Sequence, residues 1–322
     1  MPEVAAHRKP PRVDAVVIGR NEGERLQACL LSLKGQVQRV IYVDSGSTDN
    51  SVQIARDLGA EVVTLDTDMP FTAARARNAG WGCLSGDGFV QFVDGDCIVD
   101  DAWIDTALGF ATTHPNAVVI CGRRRERFPD ASVYNRLCDH EWNTPVGRTK
   151  ACGGDALIRL PALRTVEGYR EDLIAGEEPE LCLRLIRAGG EVWRIDADMT
   201  RHDAAMTRFS QWWQRCRRGG YAFAEGAALH GREPERHWVL ESRRAVLWGA
   251  ILPLTALVCG LVHPFGFALL LAWPLQIMRL SFRMGTAAAF FNVLGKLPEA
   301  QGVLTYHWNR LSRRQATLIE YK

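Results

Sequence analysis

Short apolar runs alternate with amphipathic segments along the first third of the chain. Four of these runs have the length of strands, at 13–18, 40–43, 61–65 and 89–93. The segments between and after them have apolar positions at helical spacing and predict helices at 24–33, 51–58, 71–84 and 102–110. Short connections between strands and helices are typical of a parallel sheet covered on both faces. The pattern therefore predicts an α/β fold.

The regular alternation weakens after Cys121, although further elements remain recognisable. A strand at 117–121 runs into a charged loop that carries four arginines before Asp130. The later predicted elements are helices at 132–142, 179–188 and 209–229 and strands at 156–160 and 191–195. The loop Cys152-Gly153-Gly154-Asp155 leads into the first of these two strands.

The chain contains no Asp, Glu, Lys or Arg from Ala245 to Met278. As a helix, the part up to Val262 would be about 27 Å long, close to the hydrocarbon thickness of a bilayer. The turn His263-Pro264-Phe265-Gly266 follows, and arginines lie at both ends of the run. Positive charge at both ends favours a membrane hairpin whose ends face the cytoplasm. The alternative is a buried helical pair in a soluble dimer.

Acidic residues follow two of the predicted strands. Asp94-Gly95-Asp96 closes the strand at 89–93, and Asp44 begins an acidic, turn-forming stretch after the strand at 40–43. Two carboxylates are costly in an apolar core but suit a hard divalent cation that also holds phosphate oxygens. Because open α/β sheets bind ligands at this edge, the sequence predicts a ligand site there. The alternative for Asp94 and Asp96 is a polar turn before the next helix.

Charge and cysteine usage limit the function classes. The net charge of the 322 residues is +2, which excludes a nucleic-acid binder with a broad basic field. Nine cysteines without regular spacing indicate reduced thiols in the cytosol rather than a disulfide framework. The first twelve residues are polar and basic and lack the apolar core of a signal peptide. We therefore expect the catalytic part to remain in the cytoplasm.

Five motifs in this order resemble the family-two inverting glycosyltransferases, which have the GT-A fold. The motifs are Ile18-Gly19-Arg20-Asn21-Glu22, Val43-Asp44-Ser45-Gly46-Ser47-Thr48-Asp49, Ala76-Arg77-Asn78-Ala79-Gly80, Val93-Asp94-Gly95-Asp96 and Gly176-Glu177-Glu178-Pro179-Glu180-Leu181-Cys182-Leu183-Arg184-Leu185. The resemblance covers about 13–221. It implies a GT-A type, mostly parallel nucleotide-binding sheet with helices on both faces, followed here by the apolar helical hairpin.

The resemblance also implies a donor site and a metal site. The metal, Mn²⁺ or Mg²⁺, is expected at Asp96, Asp94 and His202, although His202 could equally be a surface residue. The residues expected to bind the nucleoside-diphosphate sugar are Asn21, Glu22, Asp44, Ser45, Arg77, Asp94 and Arg217.

The acceptor side is expected at Gly154 and Asp155 and at the Glu177-Glu178 pair. Family members usually have Glu-Asp where this chain has Glu177-Glu178, and Glu178 is the candidate general base that removes the acceptor proton. Pro179 predicts that Glu178 is extended at the entrance of a helix. The alternative is a pair of acidic residues that complements a helix dipole.

Gln214-Arg215-Cys216-Arg217-Arg218 partly resembles the Gln-x-x-Arg-Trp segment of processive members. Arg218 replaces the tryptophan, which favours the addition of a single sugar. Arg217 or Arg215 is expected to bind diphosphate. A basic helix with Trp212 and Trp213 at anionic lipid headgroups is the competing interpretation.

The expected enzyme is a metal-dependent, inverting sugar transferase at the cytoplasmic membrane, with its catalytic domain facing the cytoplasm. Its partners are a lipid-linked or glycan acceptor and membrane lipids, and no nucleic acid. The alternatives are a polyprenyl-phosphate glycosyltransferase and a catalytically silent nucleotide-sugar-binding protein. The expected domains are a disordered tail at 1–12, a GT-A domain at 13–230, a membrane-associated hairpin at 231–284 and an amphipathic, basic segment at 285–322.

Overall fold

The computed structural model describes residues 12–313, which group into two compact units. The first unit comprises 12–127, 142–171 and 178–203, and the second comprises 128–141, 172–177 and 204–313. The predicted tail at 1–12 lies outside the described residues apart from Arg12, as does the end of the predicted segment 285–322.

The first half of the sheet is parallel, as the sequence predicts. Its strands are β1 (Val13–Gly19), β2 (Val40–Asp44), β3 (Glu61–Thr64) and β4 (Phe89–Asp94), in the spatial order β3-β2-β1-β4. The connecting helices are α1 (Glu24–Leu33), α2 (Ser51–Asp57) and α3 (Ala73–Trp81). The central strands β1 and β4 are almost entirely buried, which explains why they are continuous apolar runs.

The second half of the sheet is mixed. It contains β5 (Cys97–Val99), β6 (Ala117–Glu126), β7 (Gly147–Arg148), β8 (Ala156–Arg159) and β9 (Glu191–His202), with helices α4 (Trp103–Thr113), α5 (Val133–Glu141), α6 (Leu160–Thr165) and α7 (Glu177–Arg187) along this part of the chain. Strand β8 runs antiparallel between β4 and β6, and β9 pairs parallel with β6 and antiparallel with β5 and β7. Residues 12–313 therefore have the predicted α/β class, with a sheet of nine strands.

The last strand is longer than its apolar pattern predicts. The sequence predicts that it ends at Ile195 and that His202 lies beyond it, and this is wrong because β9 continues to His202. The inward positions of the extension include the polar residues Thr200 and His202, which are buried. A hydrophobic pattern does not detect a strand whose buried positions are polar.

The prediction of an extended Glu178 is also wrong. Helix α7 begins at Glu177, so Glu178 lies in its first turn, two residues after Gly176 with its left-handed φ of 81°. Pro179 is tolerated there because the first four N–H groups of a helix have no partner within the helix. The preference of a residue before proline for extended backbone is outweighed by two hydrogen bonds that Glu178 Oε1 accepts in the helical position.

The second unit is helical. Besides α5 it contains α8 (Phe209–His230), α9 (Val239–Val246), α10 (Leu252–Val262), α11 (Ala272–Met284), α12 (Thr286–Leu294) and α13 (Lys296–Leu311). Trp212 of α8 is buried, with ring contacts to Tyr134 and Phe291. The interpretation of Trp212 as a headgroup anchor is therefore wrong, because its ring is part of the core of this unit.

The uncharged run forms the predicted hairpin of two apolar helices. The first helix spans Val239–Val262, with a π-helical segment at Leu247–Ile251, and the second spans Pro264–Met284 and begins as a 3₁₀ helix. Gly266 lies against the backbone of Cys259, so the chain turns tightly between them. Both helices are long and apolar enough to cross a membrane, on length and composition alone, and almost none of their residues are buried.

Candidate functional site

The two acidic loops meet at one edge of the sheet. Strand β1 pairs with β2 on one side and β4 on the other, with Gly19 opposite Asp44 and Ile18 opposite Asp94. Two strand spacings separate Asp44 from Asp94, a distance of about 10 Å. The sheet register therefore places the two predicted acidic positions at the same carboxyl edge.

The carboxylate of Asp44 organises the loop that follows β2. It is buried, and its Oδ1 accepts a hydrogen bond from the Tyr42 hydroxyl at 3.0 Å. Its Oδ2 accepts from the backbone N–H groups of Gly46 and Ser47, both at 3.0 Å. The Ser45 hydroxyl is buried and has no hydrogen-bond partner among the described residues.

Asn21 and Glu22 connect the end of β1 to this loop. Asn21 adopts a left-handed φ of 58°, and its Oδ1 accepts a hydrogen bond from the Thr48 N–H at 2.7 Å. The Glu22 carboxylate forms an ion pair with Arg25 at 2.8 Å, and the backbone N–H of Glu22 donates to the Ser51 hydroxyl. The side chains of Asn21 and Glu22 therefore make polar contacts within the protein in this structure.

A cavity of about 410 Å³ opens beside the Asp44 loop. It is lined by Arg20, Ser45, Gly46, residues 65–71 and Arg75. The Arg75 side chain on this lining donates to the Met69 carbonyl at 3.2 Å.

Asp94 lies in a network of two arginines and a second aspartate. Its Oδ1 accepts from Arg77 Nη2 at 2.9 Å and its Oδ2 from Arg124 Nη2 at 3.2 Å. Arg124 also donates to Asp155 Oδ2, through Nε at 3.0 Å and Nη2 at 2.7 Å. Burial lowers the pKa of Arg124, but the neighbouring negative groups, above all Asp155 together with Asp94, outweigh burial and raise that pKa above its ordinary value. Arg124 is therefore a permanent cation between the two aspartates.

Asp155 is fully buried at the centre of this network. Its Oδ1 accepts from the Asp94 N–H at 3.0 Å, and its Oδ2 accepts from the Thr200 hydroxyl at 2.7 Å. Gly154 precedes it, and a Cβ at Gly154 would lie 2.9 Å from Asp94 Oδ2 and about as close to both arginines. Only glycine leaves room there for the packed side chains.

Asp94, Asp96, Cys97 and His202 form a group whose ligand atoms all lie within 4.8 Å of one another. The His202 Nε2 is 3.3 Å from Asp96 Oδ1, and its Nδ1 is buried without a hydrogen-bond partner among residues 12–313. Burial, reinforced by the charge of Arg124, lowers the pKa of His202 to about 4. The ring is therefore neutral at pH 7 and offers a lone pair. Two carboxylates and a neutral imidazole with an orphaned nitrogen fit Mn²⁺ or Mg²⁺.

Glu178 lies in a second buried group with Cys152 and Cys182. Its Oε1 accepts hydrogen bonds from the Cys152 N–H at 2.5 Å and the Cys182 thiol at 3.1 Å. Burial raises the pKa of Glu178 despite these hydrogen bonds, which lower it. A carboxylate with a raised pKa is a stronger proton acceptor once it is ionised.

The first unit contains most of the predicted site residues: Asn21, Glu22, Asp44, Ser45, Arg77, Asp94, Asp96, Gly154, Asp155, Glu178 and His202. Glu177 and Arg217 belong to the second unit. Sequence reasoning missed Arg124 and Thr200. Arg124 lies in the cluster of arginines before Asp130, which was the signal for it, whereas the apolar run of the last strand ends before Thr200.

Residues 14–151 match the sequence profile described as Glycosyl transferase family 2. The profile spans β1 to β7 and includes the Asp44 loop and the Asp94-Gly95-Asp96 motif. Residues 14–151 therefore form a glycosyl transferase family 2 domain. The resemblance stated from its motifs is thereby confirmed.

Two relatives show how far the similarity extends beyond this domain. The pre-mycofactocin glycosyltransferase of Mycobacterium tuberculosis is 28% identical over 251 residues, which are 72% of this chain and 51% of that protein. The succinoglycan biosynthesis protein ExoA of Rhizobium meliloti is 26% identical over 192 residues, 55% of this chain and 58% of ExoA. The chain spans about half the length of these curated relatives.

A solved structure shares the fold of this chain. A mannosyltransferase from Pyrobaculum calidifontis, in complex with GDP-Man and Mn²⁺, superposes with a TM-score of 0.64 at 18% identity. The superposition covers 94% of this chain and 88% of the other. The predicted GT-A architecture is thereby confirmed at the level of the fold.

Proposed function

We propose that this protein transfers a single sugar, with inversion, from a nucleoside-diphosphate sugar to a lipid-linked or polysaccharide acceptor. We place the reaction at the cytoplasmic face of the membrane. The proposal depends above all on one observation, the group of Asp94, Asp96 and His202 at the sheet edge that also carries the Asp44 loop. The names of the two relatives, a glycosyltransferase and a polysaccharide biosynthesis protein, support the reaction class.

The donor would lie between the cavity beside Asp44 and the Asp94 network. The cavity has the size of a small-molecule site, and the unpaired hydroxyl of Ser45 is a polar group available to a ligand. Arg77 is held by Asp94 and lies 5.6 Å from the centre of the Tyr169 ring. The two arginines near Asp94 fix its carboxylate and supply positive charge for a diphosphate.

Asp94, Asp96 and His202 would hold Mn²⁺ or Mg²⁺. The cation supplies Lewis-acid stabilisation of the negative charge that develops on the leaving diphosphate. His202 fits the third position because its ring is neutral and its Nδ1 is orphaned. Trp142 lies edge-on to this ring at 4.9 Å and restricts its orientation.

Glu178 would accept the proton of the attacking acceptor hydroxyl. The Cys152 N–H and the Cys182 thiol fix its Oε1, so the carboxylate is oriented before the acceptor binds. Attack by the oxygen on the anomeric carbon, opposite the departing diphosphate, inverts the configuration at that carbon. The replacement of tryptophan by Arg218 supports transfer of one sugar rather than processive synthesis.

The two apolar helices favour a second candidate, a polyprenyl-phosphate glycosyltransferase. A lipid phosphate is already an anion at neutral pH and needs no strong base. The two candidates therefore differ in how much they depend on the Glu178 carboxylate.

Substitution of Asp96 and Glu178 tests the proposal in the full chain. Asp96→Ala should abolish sugar transfer while circular dichroism shows a folded protein, and activity that survives in excess Mn²⁺ contradicts the metal assignment. Glu178→Gln should lower turnover on the order of 10²–10⁴-fold with little change in donor affinity.

Other outcomes of the same assays separate the alternatives. Full activity of Glu178→Gln toward a lipid phosphate favours the polyprenyl-phosphate candidate. Donor binding by calorimetry without release of nucleoside diphosphate indicates a silent binding protein. A thermal-shift screen of nucleoside diphosphates with and without Mn²⁺ identifies the donor base.

A further inference from the structure

A second group of ligand atoms lies in the first unit, apart from the carboxylate group. Cys152 is in the loop before β8, and Glu178 and Cys182 are one turn apart in α7. The Cys152 and Cys182 sulfur atoms are 3.6 Å apart, and Glu178 Oε1 is 3.1 Å from Cys182 Sγ. All three ligand atoms lie within 4.8 Å of one another.

These separations match those between ligands that share one tetrahedral ion. With Zn–S bonds of about 2.3 Å, two sulfur ligands of a tetrahedral zinc are roughly 3.8 Å apart. With a Zn–O bond of about 2.1 Å, sulfur and oxygen are roughly 3.6 Å apart. Both values are within about 0.5 Å of the observed distances. The ligands therefore need only small movements to surround an ion.

We propose that Cys152, Cys182 and Glu178 bind a thiophilic divalent cation of the zinc class. Two sulfur ligands and one oxygen select a softer cation than the Asp94, Asp96 and His202 group, which suits harder ions. Three protein ligands leave a fourth position open, as in zinc sites that are not purely structural.

The same two cysteines are less suited to a disulfide. Their sulfur atoms would have to close from 3.6 Å to about 2.05 Å. A disulfide would also consume the Cys182 thiol hydrogen that Glu178 Oε1 now accepts. A cation instead retains all three groups at nearly their present positions.

The consequence for activity rests on the proposed function. A cation bound here occupies the Glu178 carboxylate that would otherwise accept the acceptor proton. Zinc should therefore inhibit sugar transfer in the presence of saturating Mn²⁺, and Cys182→Ser should reduce this inhibition. Metal binding by these three residues does not require transferase activity. The binding experiment below therefore remains decisive even if the protein transfers no sugar.

Cobalt(II) is the probe for binding, because thiolate ligands give it a charge-transfer band and tetrahedral geometry gives it intense visible bands. The full chain, stripped with chelator and kept reduced with a phosphine, is titrated with Co²⁺ and then with Zn²⁺. We expect bands that saturate at one ion per chain and that zinc abolishes. Cys152→Ser and Cys182→Ser should each lose the charge-transfer intensity of one thiolate.

Two cysteine variants serve as controls. Cys83→Ser changes an exposed cysteine, and Cys97→Ser changes the one beside Asp96. Both should retain the bands. Bands that are absent in the wild-type chain, that keep the full wild-type intensity in both Cys152→Ser and Cys182→Ser, or that disappear in Cys97→Ser overturn the proposal.

A second measurement on the wild-type chain covers the case in which a variant does not fold. Zinc should protect the partly exposed Cys152 from alkylation, as measured by mass spectrometry, and leave Cys83 reactive. Equal alkylation of Cys152 with and without zinc overturns the proposal. Conversion of the pair to a disulfide under zinc in the reduced sample also overturns it.

Discussion

Asp155 uses both carboxylate oxygens for contacts within the protein. Its Oδ1 accepts from the Asp94 backbone and its Oδ2 from Arg124 and Thr200. The sequence predicts that Asp155 contacts the acceptor, and that remains a prediction. The observed contacts favour a positioning role, because the buried aspartate fixes the arginine that holds Asp94.

The first prediction concerns the stability that this buried pair provides. Asp155→Asn removes the charge that compensates Arg124, and breaking a buried pair costs about 3–5 kcal/mol. Urea unfolding should show a free energy of unfolding that is lower by that amount. Asp130→Asn, whose side chain is 94% exposed, should change it by less than about 0.5 kcal/mol. Equal effects of the two substitutions would contradict the role of Asp155.

The second prediction concerns pH and Glu299 in α13. Burial raises the pKa of Glu299, although Lys296 at 2.6 Å lowers it in part. A folded-state pKa above the unfolded value means that the protonated form stabilises the fold. This stability is present below the unfolded pKa, about 4.3, and is lost as pH rises through the folded pKa.

Glu299→Gln should therefore raise the Tm relative to wild type at pH 7 to 8, and the difference should disappear below about pH 4. Thermal melts monitored by circular dichroism measure it. Glu24→Gln, at an exposed position in α1, is the control and should show no such trend. A Tm difference that grows toward low pH would reverse the sign and refute the argument.

The acidic residues of the site were predictable, but their partners were not. Asp94 and Asp96 follow an apolar strand directly, so local sequence identifies them. Arg124, Asp155 and Thr200 meet only because β8 runs antiparallel between β4 and β6 and because β6 pairs with β9. Such contacts depend on the order of the strands in the sheet. The sequence does not reveal this order for the antiparallel and irregular second half of the sheet.

At the level of elements, α8 and α13 approach each other at two glycines. A Cβ at Gly220 would lie 2.0 Å from the Glu299 carbonyl oxygen, and a Cβ at Gly302 would lie 2.1 Å from the Arg217 carbonyl oxygen. Since backbone oxygens cannot move aside as flexible side chains do, the two helices can approach this closely only with glycine at both positions.

The third prediction uses two adjacent glycines of α8. Gly220→Ala should lower the free energy of unfolding by about 1–3 kcal/mol or more, because the helices must separate. Gly219→Ala meets no atom within 4 Å and should raise it by up to about 1 kcal/mol, because alanine favours helix. Chemical denaturation of the two variants measures both effects. The same sign for both would show that this helix contact is not tight.

Elements with a regular apolar period were predicted to within a few residues. Helix α1 was predicted with its observed ends, Glu24 and Leu33. Strand β5 was missed because three residues, Cys97 to Val99, are too few to show a period. The start of α7 was misplaced because side-chain contacts of Glu178 outweigh the local effect of Pro179.

At the level of the whole molecule, the uncharged run was identified from composition, but its environment was not. Residues Leu261, Val262 and Phe282 are each more than three-quarters exposed in the described chain. Either a bilayer or a partner chain would cover an exposed apolar surface of this extent.

The fourth prediction separates these two environments. If the hairpin lies in a membrane, the full chain should float with lipid vesicles, and the double substitution Leu254→Glu and Leu257→Glu, near the centre of the uncharged first helix, should abolish flotation. Each buried charge costs about 2.5–3.5 kcal/mol in the bilayer, whereas both positions are exposed in the isolated chain. Leu58→Glu, an exposed position of the first unit, should float like wild type. A detergent-free dimer that does not bind vesicles would support the soluble pair.

Strand β9 links the two sides of the candidate site. Thr200 and His202 are two residues apart on the same face of this strand, and they contact Asp155 and Asp96, respectively. One backbone segment thus supports both Asp155 and the candidate metal-ligand group that includes His202. A change that shifts this strand should therefore disturb the aspartate–arginine network and the metal-ligand group together.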